Sequence, residues 1–342
     1  MIKSEVKVKA WRYYDRRKLH LEEAPIPVPK AGEVLIKVTS CGICQTDVDE
    51  FMGGPKLFNK LPFIPGHEFG GIIVDVGPGV TKEKIGKIVT VAPLISCGQC
   101  KFCKAGRQSL CDQLGYYGMI GYDGGFAEYA VVKAENAIEV NTPEIVHFGE
   151  ILLVALRVLH LIERYSYWGK RALITGGGPV GLVIALLLKH HGWEVELCEI
   201  RNRRRQFANS FGIKTYSIIN EVPEHNYTVV IDCTGEDPVI PHTFGEQVNK
   251  VTKGGAIILV GVYFSEISFT PLSHLSGEIE IVPSFLYTLK EIPALRESMH
   301  ALAEPLKKMT QRIPFENLVN TLLEIEMNKD NFFKVALYNA DH

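Results

Sequence analysis

"ALITGGGPVGLVIALLL", Ala172 to Leu188, joins two apolar runs through Gly176, Gly178 and Gly181. "RALITG" reads as a short buried strand, and Pro179 to His191 has helical periodicity closed by Gly192. Glycines in the G-x-G-x-x-G pattern let the backbone turn tightly and approach a pyrophosphate, whose charge then faces the helix N-terminus; Pro179 and Val180 complete the turn. A plain glycine turn would also fit between strand and helix. Glu199 argues for the dinucleotide, because it ends the next strand about 20 residues on, where ribose hydroxyls are bound. Glu199 would repel a 2′-phosphate and so favours NAD, whereas Arg201, Arg203, Arg204 and Arg205 just beyond it suit a phosphate and keep NADP open.

Outward from this turn, the rhythm of the chain changes. From about Gly149, strands ("EVELCEI", "YTVVIDCTG", "AIILVGV") alternate with helices ("RRRQFANSFG", "FGEQVNKVTKGG"), which implies right-handed crossovers and a parallel sheet. From Lys3 to about Lys133 the chain is instead dense in Gly, Pro and β-branched residues, with short runs such as "EVLIKVTS" and "GGIIVDVG" that read as strands of a β-rich domain. The last fifty or so residues read as helices followed by a strand, "FFKVALY". The 342 residues therefore suggest two domains. Lys and Arg number 37 against 39 Asp and Glu, which leaves no basic field for nucleic acid or anionic lipid and points to small-molecule partners. The start lacks the apolar stretch of a secretory signal, and "GEILLVALRVLHLIERY" is interrupted by Arg157 and His160 short of a membrane span, so a cytoplasmic protein is expected.

In a reducing compartment, clustered cysteines serve as metal ligands or catalytic thiols more often than as disulfides. Cys97, Cys100, Cys103 and Cys111, in a lobe of about residues 94–113, have the spacing C-x2-C-x2-C-x7-C, enough thiolates to close a tetrahedral zinc shell. An iron–sulfur cluster fits less well, since the ferredoxin run ends C-x3-C-P, and disulfides stay open on the same spacing. Cys44, His67 and Glu68, from "CGICQTDVD" and "PGHEFGG", are candidate ligands of a second zinc with one open position. Cys41 and Cys44 also make a C-x-x-C pair, a weaker candidate for a redox dithiol.

Taken in order, "GICQTD", "GHEFGG", the four-cysteine loop, "GGFAEY", "GGGPVG" and "KGGAIILVGV" resemble the zinc-dependent medium-chain alcohol dehydrogenases, in particular the polyol and threonine dehydrogenase branch. The resemblance implies an α/β protein: a GroES-like catalytic domain from residues 1–150 and 291–342, with a Rossmann doubly wound nucleotide-binding domain, residues 151–290, between them. It also implies one catalytic and one structural zinc, and transfer of hydride between a secondary alcohol, a polyol or sugar derivative foremost, and NAD(P). Cys44 and His67 carry over as ligands. Glu150 stands where a carboxylate precedes proline in that branch, although Ile151 here departs from the pattern. Glu68 and Glu150 are expected to share the shell, one directly and one through water. Thr46 would carry the proton, Asp47 would orient His67, and Asp49 stands where a relay histidine is common. Lys334 matches a basic position that reaches the pyrophosphate in relatives, or else is a surface lysine. Relatives are dimers or tetramers, and a homotetramer is expected. A threonine-type amino-alcohol dehydrogenase and a non-catalytic zinc-stabilised binding protein are the alternatives.

Overall fold

The strand Glu33–Gly42 organises the N-terminal part of the chain. In the computed structural model, which describes residues 7–54, 58, 61–235, 244–263, 266, 268 and 270–339, the chain divides into two compact units, Met1–Leu153 with Thr288–His342, and Val154–Tyr287. In the first unit a seven-stranded sheet runs in the order Ala137–Glu139, Ile88–Val91, Glu68–Val76, Glu33–Gly42, Lys334–Tyr338 and Thr310–Pro314, with Tyr129–Lys133 also pairing to Glu33–Gly42. Val34 and Ile36 of the central strand are fully buried, and Phe63, Phe69, Phe126 and Leu337 pack into the same core.

Register decides what meets at the end of this sheet. Gly42 lies opposite Glu68 on one side and opposite Ala336 on the other, so segments distant in sequence converge there. Two small elements complete the unit. The hairpin Lys7–Asp15 with Lys18–Pro25 forms a sheet of its own, and Leu94–Ile95, Gly115–Tyr117 and Gly121–Tyr122 form a three-stranded sheet beside the cysteine loop.

The second unit is a six-stranded, all-parallel sheet ordered Lys214–Tyr216, Glu194–Cys198, Arg171–Thr175, Tyr227–Asp232, Val251–Leu259 and Glu280–Pro283. Numbered within the unit, that order is 3-2-1-4-5-6, whose direction reverses at Arg171–Thr175, the topological switch point where dinucleotides bind in doubly wound sheets. Ala172, Leu173, Ile174, Val229, Val230 and Ile231 are all fully buried, as continuous apolar strands covered on both faces must be.

Two expectations need correction. The helix expected over 244–255 ends early: Phe244–Gln247 is α-helical, Val248–Lys250 is a 3-10 turn, and Val251–Leu259 is already strand. The β-branched pair Val251 and Thr252 favours the strand, and Gly255 fits against its neighbour because a Cβ there would lie 2.3 Å from the Thr228 carbonyl oxygen. Secondly, Arg157 and His160 do not interrupt the apolar helix. The helical stretch Pro143–Trp168 is long and apolar enough to cross a membrane, but 72% of its most apolar window is buried inside the protein, as a core helix would be. Arg157 and His160 lie on the partly exposed stripe that also includes Val154.

The tight pairing of the central strands yields a test. A Cβ on Gly71 would stand 2.0 Å from the Lys37 carbonyl oxygen. Gly71→Ala is expected to cost about 3 kcal/mol of stability, because backbone rather than a flexible side chain must yield. Urea unfolding measures it, and a loss below about 0.5 kcal/mol would contradict the packing.

Candidate active site and cofactor loop

Cys44 ends the loop after the central strand and precedes the helix Gln45–Met52. Its backbone N–H donates to Asp47 Oδ2 at 2.9 Å, which fixes the first turn and buries the Asp47 carboxylate. His67 follows Gly66, whose φ of +90° turns the chain where a Cβ would collide with Phe126, and Glu68 opens the next strand. These placements bring one ligand atom from each of Cys44, His67 and Glu68 within 4.8 Å of one another. A single cation with bonds of about 2.0–2.3 Å can draw such a set together. His67 Nδ1 lies 3.8 Å from Asp47 Oδ1, and neither atom has a hydrogen-bond partner. Asp47 therefore stands where it can orient the ring while the opposite nitrogen faces the shell.

Charge is the decisive property of this site. Asp47, Glu68 and Glu150 are all buried and Cys44 is partly so, while the buried side-chain cation facing them is Lys334, 1% exposed. Burial by itself would lower the pKa of His67, yet Asp47, Cys44 and Glu68 push it up to about 10. Asp47 is pushed up to about 6, chiefly by burial, and burial likewise raises Glu150. All three shifts have the sign expected of a site short of positive charge. A divalent cation supplies that charge, so the residues present fit one.

The other expected ligand is placed differently. Glu150 lies outside the three-residue group, and its Oε1 accepts a hydrogen bond of 2.7 Å from the Tyr116 hydroxyl. Thr46 Oγ1 is 3.6 Å from Cys44 Sγ. Asp49 accepts from Gln45 Nε2 at 2.7 Å and faces Lys329 and Glu326; among the described residues no hydrogen bond joins it to Thr46. Cys41 is fully buried, with its thiol held well above its ordinary pKa by burial and by Asp47 and Glu68, and it stands outside the ligand group. An inert thiol of this kind is a poor partner for dithiol chemistry.

The four cysteines of the lobe meet in a second cluster, all Sγ atoms within 4.8 Å of one another. Cys97 and Cys103 are 3.9 Å apart, close to the edge of about 3.8 Å that a tetrahedron with zinc–sulfur bonds of about 2.3 Å would have. All four thiols are free, so the disulfide alternative does not describe this loop. Backbone N–H groups of Cys97 and Gln113 donate to Cys111 Sγ, and that of Cys100 to Cys97 Sγ. Cys100 is lowered to about 6, chiefly by the backbone N–H groups of Cys103 and Asp112, while burial raises Cys103 to about 11.

In the second unit the glycine turn has the shape its spacing suggests. Gly176 has φ +89°, and a Cβ on Gly181 would come within 2.0 Å of the Gly176 carbonyl oxygen. Gly178 caps the helix Pro179–His190, with Pro179 as its first residue and Val180 next. Glu199 is 4% exposed; it accepts from the Gly177 N–H and the Arg201 N–H, both at 2.7 Å. Arg204 reaches back to Glu199 at 3.7 Å and passes beside Gly178.

Comparison with known proteins follows these features along the whole chain. Residues 30–142 match the alcohol dehydrogenase GroES-like domain and residues 179–303 the zinc-binding dehydrogenase domain. L-threonine 3-dehydrogenase of Pyrococcus abyssi is 35% identical over 72% of this chain and 74% of its own. The chain belongs to the zinc-type medium-chain alcohol dehydrogenases. Escherichia coli L-galactonate-5-dehydrogenase is 28% identical over 93% of this chain and 95% of its own. Among solved structures, an E. coli RspB alcohol dehydrogenase complexed with NADH has a TM-score of 0.84 at 26% identity, covering 97% of this chain and 99% of that one. A Sinorhizobium meliloti zinc-binding dehydrogenase bound to NADP has a TM-score of 0.85 at 26% identity, with the same coverage. The first unit of this dehydrogenase is accordingly GroES-like and the second is a Rossmann fold.

One residue of this dehydrogenase, Tyr116, is not legible in the sequence as a site residue. Tyr116 reads in sequence as packing. Lys334, expected at the pyrophosphate or else at the surface, is buried in the first unit: its Nζ forms an ion pair with Glu68 and donates to the Ile43 carbonyl at 2.9 Å, which removes the surface alternative. Gly42 leaves room for that pair, because a Cβ there would meet both side chains. Removing the cation from such a buried pair is costly. In chelator-treated protein, Lys334→Met is expected to lose about 3–5 kcal/mol of unfolding free energy, with a loss below about 1 kcal/mol contradicting the pairing.

Proposed function

We propose that this dehydrogenase oxidises a secondary alcohol carbon of a polyol or sugar acid, reversibly, with NAD and with zinc held by Cys44, His67 and Glu68. The observation that carries the reading is the convergence of a thiol, an imidazole and a carboxylate on one cation-sized space whose buried acids outnumber its buried cations. When bound, the zinc supplies a Lewis acid to the substrate hydroxyl and the nicotinamide supplies the hydride acceptor.

The chain's own residues do the rest. Asp47 orients His67, and Lys334 offsets the negative charge of the Glu68 carboxylate so that it can lie buried. Thr46 takes the hydroxyl proton of the substrate, a role supported by its hydroxyl lying 3.6 Å from Cys44 Sγ. The Thr46 hydroxyl gives up its own proton in exchange, to Asp49, whose Oδ1 accepts from Gln45, or to water. Cys97, Cys100, Cys103 and Cys111 hold a second, structural zinc, for which the sulfur spacing and the backbone donors are suited. Gly176, Gly178, Pro179, Val180 and Gly181 receive the pyrophosphate, and the Glu199 carboxylate receives the ribose hydroxyls.

The free state of all eight thiols agrees with a reducing, cytoplasmic compartment. Glu280–Pro283 is the terminal strand of the parallel sheet with Ile281 36% exposed, which supports edge pairing with a second copy and, through it, a homotetramer. The threonine-type reading is favoured by the 35% identity to the P. abyssi enzyme. A panel of polyols, sugar acids and L-threonine, each with NAD and NADP and followed by nicotinamide absorbance alongside a zinc count, decides between them. No absorbance change with any of them, together with only one zinc per chain, would overturn the catalytic reading.

Two variant sets sharpen it. Cys44→Ser is expected to abolish turnover and leave the melting temperature nearly unchanged, whereas Cys103→Ser chiefly lowers the melting temperature; an active Cys44→Ser protein would contradict the assignment. Glu199→Ser is expected to raise kcat/KM with NADP relative to NAD by about tenfold, equivalent to ~1.4 kcal/mol. An unchanged ratio would separate Glu199 from cofactor choice.

A further inference from the structure

Glu150 is a buried carboxylate held off the cation cluster by one specific neighbour. The neighbour is Tyr116, on the short strand Gly115–Tyr117, whose ring is 1% exposed and stands 6.1 Å from the His67 ring. Its hydroxyl donates to Glu150 Oε1 at 2.7 Å. The backbone carrying Glu150 has little freedom to move, because the preceding Gly149 is packed so closely on Thr90 that a Cβ would lie 1.9 Å from Thr90 Oγ1. Any approach of Glu150 to the cluster must therefore come from rotation of its side chain. The carboxylate is already near enough to feel His67, Glu68 and Lys334. A buried carboxylate deprived of its donor moves to the nearest positive charge, which at this place is the cation held by Cys44, His67 and Glu68.

We propose that Tyr116 is a positioning residue: its hydroxyl holds the Glu150 carboxylate beside the Cys44, His67 and Glu68 shell instead of in it, which keeps the fourth position for a substrate oxygen. The inference rests on the metal site of the proposed function but not on the identity of the alcohol. Tyr116 touches neither the cation nor the reacting carbon; it acts through Glu150.

Cobalt(II) exchanged into the full-length protein tests this, with the Cys44→Ser protein as the reference that subtracts the four-cysteine lobe. Four-coordinate cobalt absorbs visible light several-fold more strongly than five-coordinate cobalt, and added imidazole perturbs the spectrum only where a position is open. The wild-type protein is expected to give the strong spectrum and to respond to imidazole. Tyr116→Phe keeps the ring and removes the donor. Its absorption is expected to fall several-fold, its response to imidazole to disappear, its release of metal to a chelator to slow, and its kcat to fall by about 10–100-fold. The double variant Tyr116→Phe with Glu150→Gln is expected to restore the strong spectrum, which a merely structural role for Tyr116 would not do. Identical spectra and chelation rates for Tyr116→Phe and wild type would overturn the inference, and so would failure of the double variant to restore the spectrum. Absence of Cys44-dependent cobalt in the wild type would overturn the metal site and the inference together. The expected spectral pattern in a protein that oxidises none of the alcohols would uphold the inference and remove the functional reading alone.

Discussion

The arrangement at the end of the central sheet depends on an imbalance of buried charge. Cys44, Asp47, Glu68 and Glu150 gather around the buried Lys334, and ionised groups removed from water are tolerated only when paired. The protein meets part of this cost with specific partners: Lys334 for Glu68, the Cys44 N–H for Asp47 and Tyr116 for Glu150. The remaining deficit is what gives His67 its high affinity for a proton and what makes the same place suited to a doubly charged ion.

How much of this was legible in the sequence follows from how local each constraint is. The glycine turn could be read because Gly176 must adopt positive φ and Gly181 must pack against the backbone, requirements that belong to the residues themselves. The cysteine loop could be read because four ligands within fifteen residues need no long-range folding to meet. The change from helix to strand near residue 250 is hard to read because the two tendencies overlap in "VNKVTKGG"; the β-branched Val251 and Thr252 and the contact of Gly255 with Thr228 together favour the strand.

Side-chain pairs between distant segments were beyond such reading. Nothing local connects Tyr116 with Glu150, or Lys334 with Glu68. The second pair is created by register, since Gly42 aligns with both Glu68 and Ala336 and its missing side chain leaves the volume that the ions occupy. A lysine in an apolar strand is the one available hint, for "FFKVAL" buries a charge that an exposed strand edge would leave in water.

The position of the last strand has a consequence for biosynthesis. Lys334–Tyr338 lies inside the first unit's sheet, between Glu33–Gly42 and Thr310–Pro314, whereas the second unit is one uninterrupted stretch holding all six of its strands. On the ribosome the nucleotide-binding unit has all its pieces long before the unit that precedes it in the chain. The N-terminal segments must wait until residues 334–338 have emerged to close their sheet, so a nascent chain released before them lacks both a central strand and the Lys334 cation that neutralises Glu68.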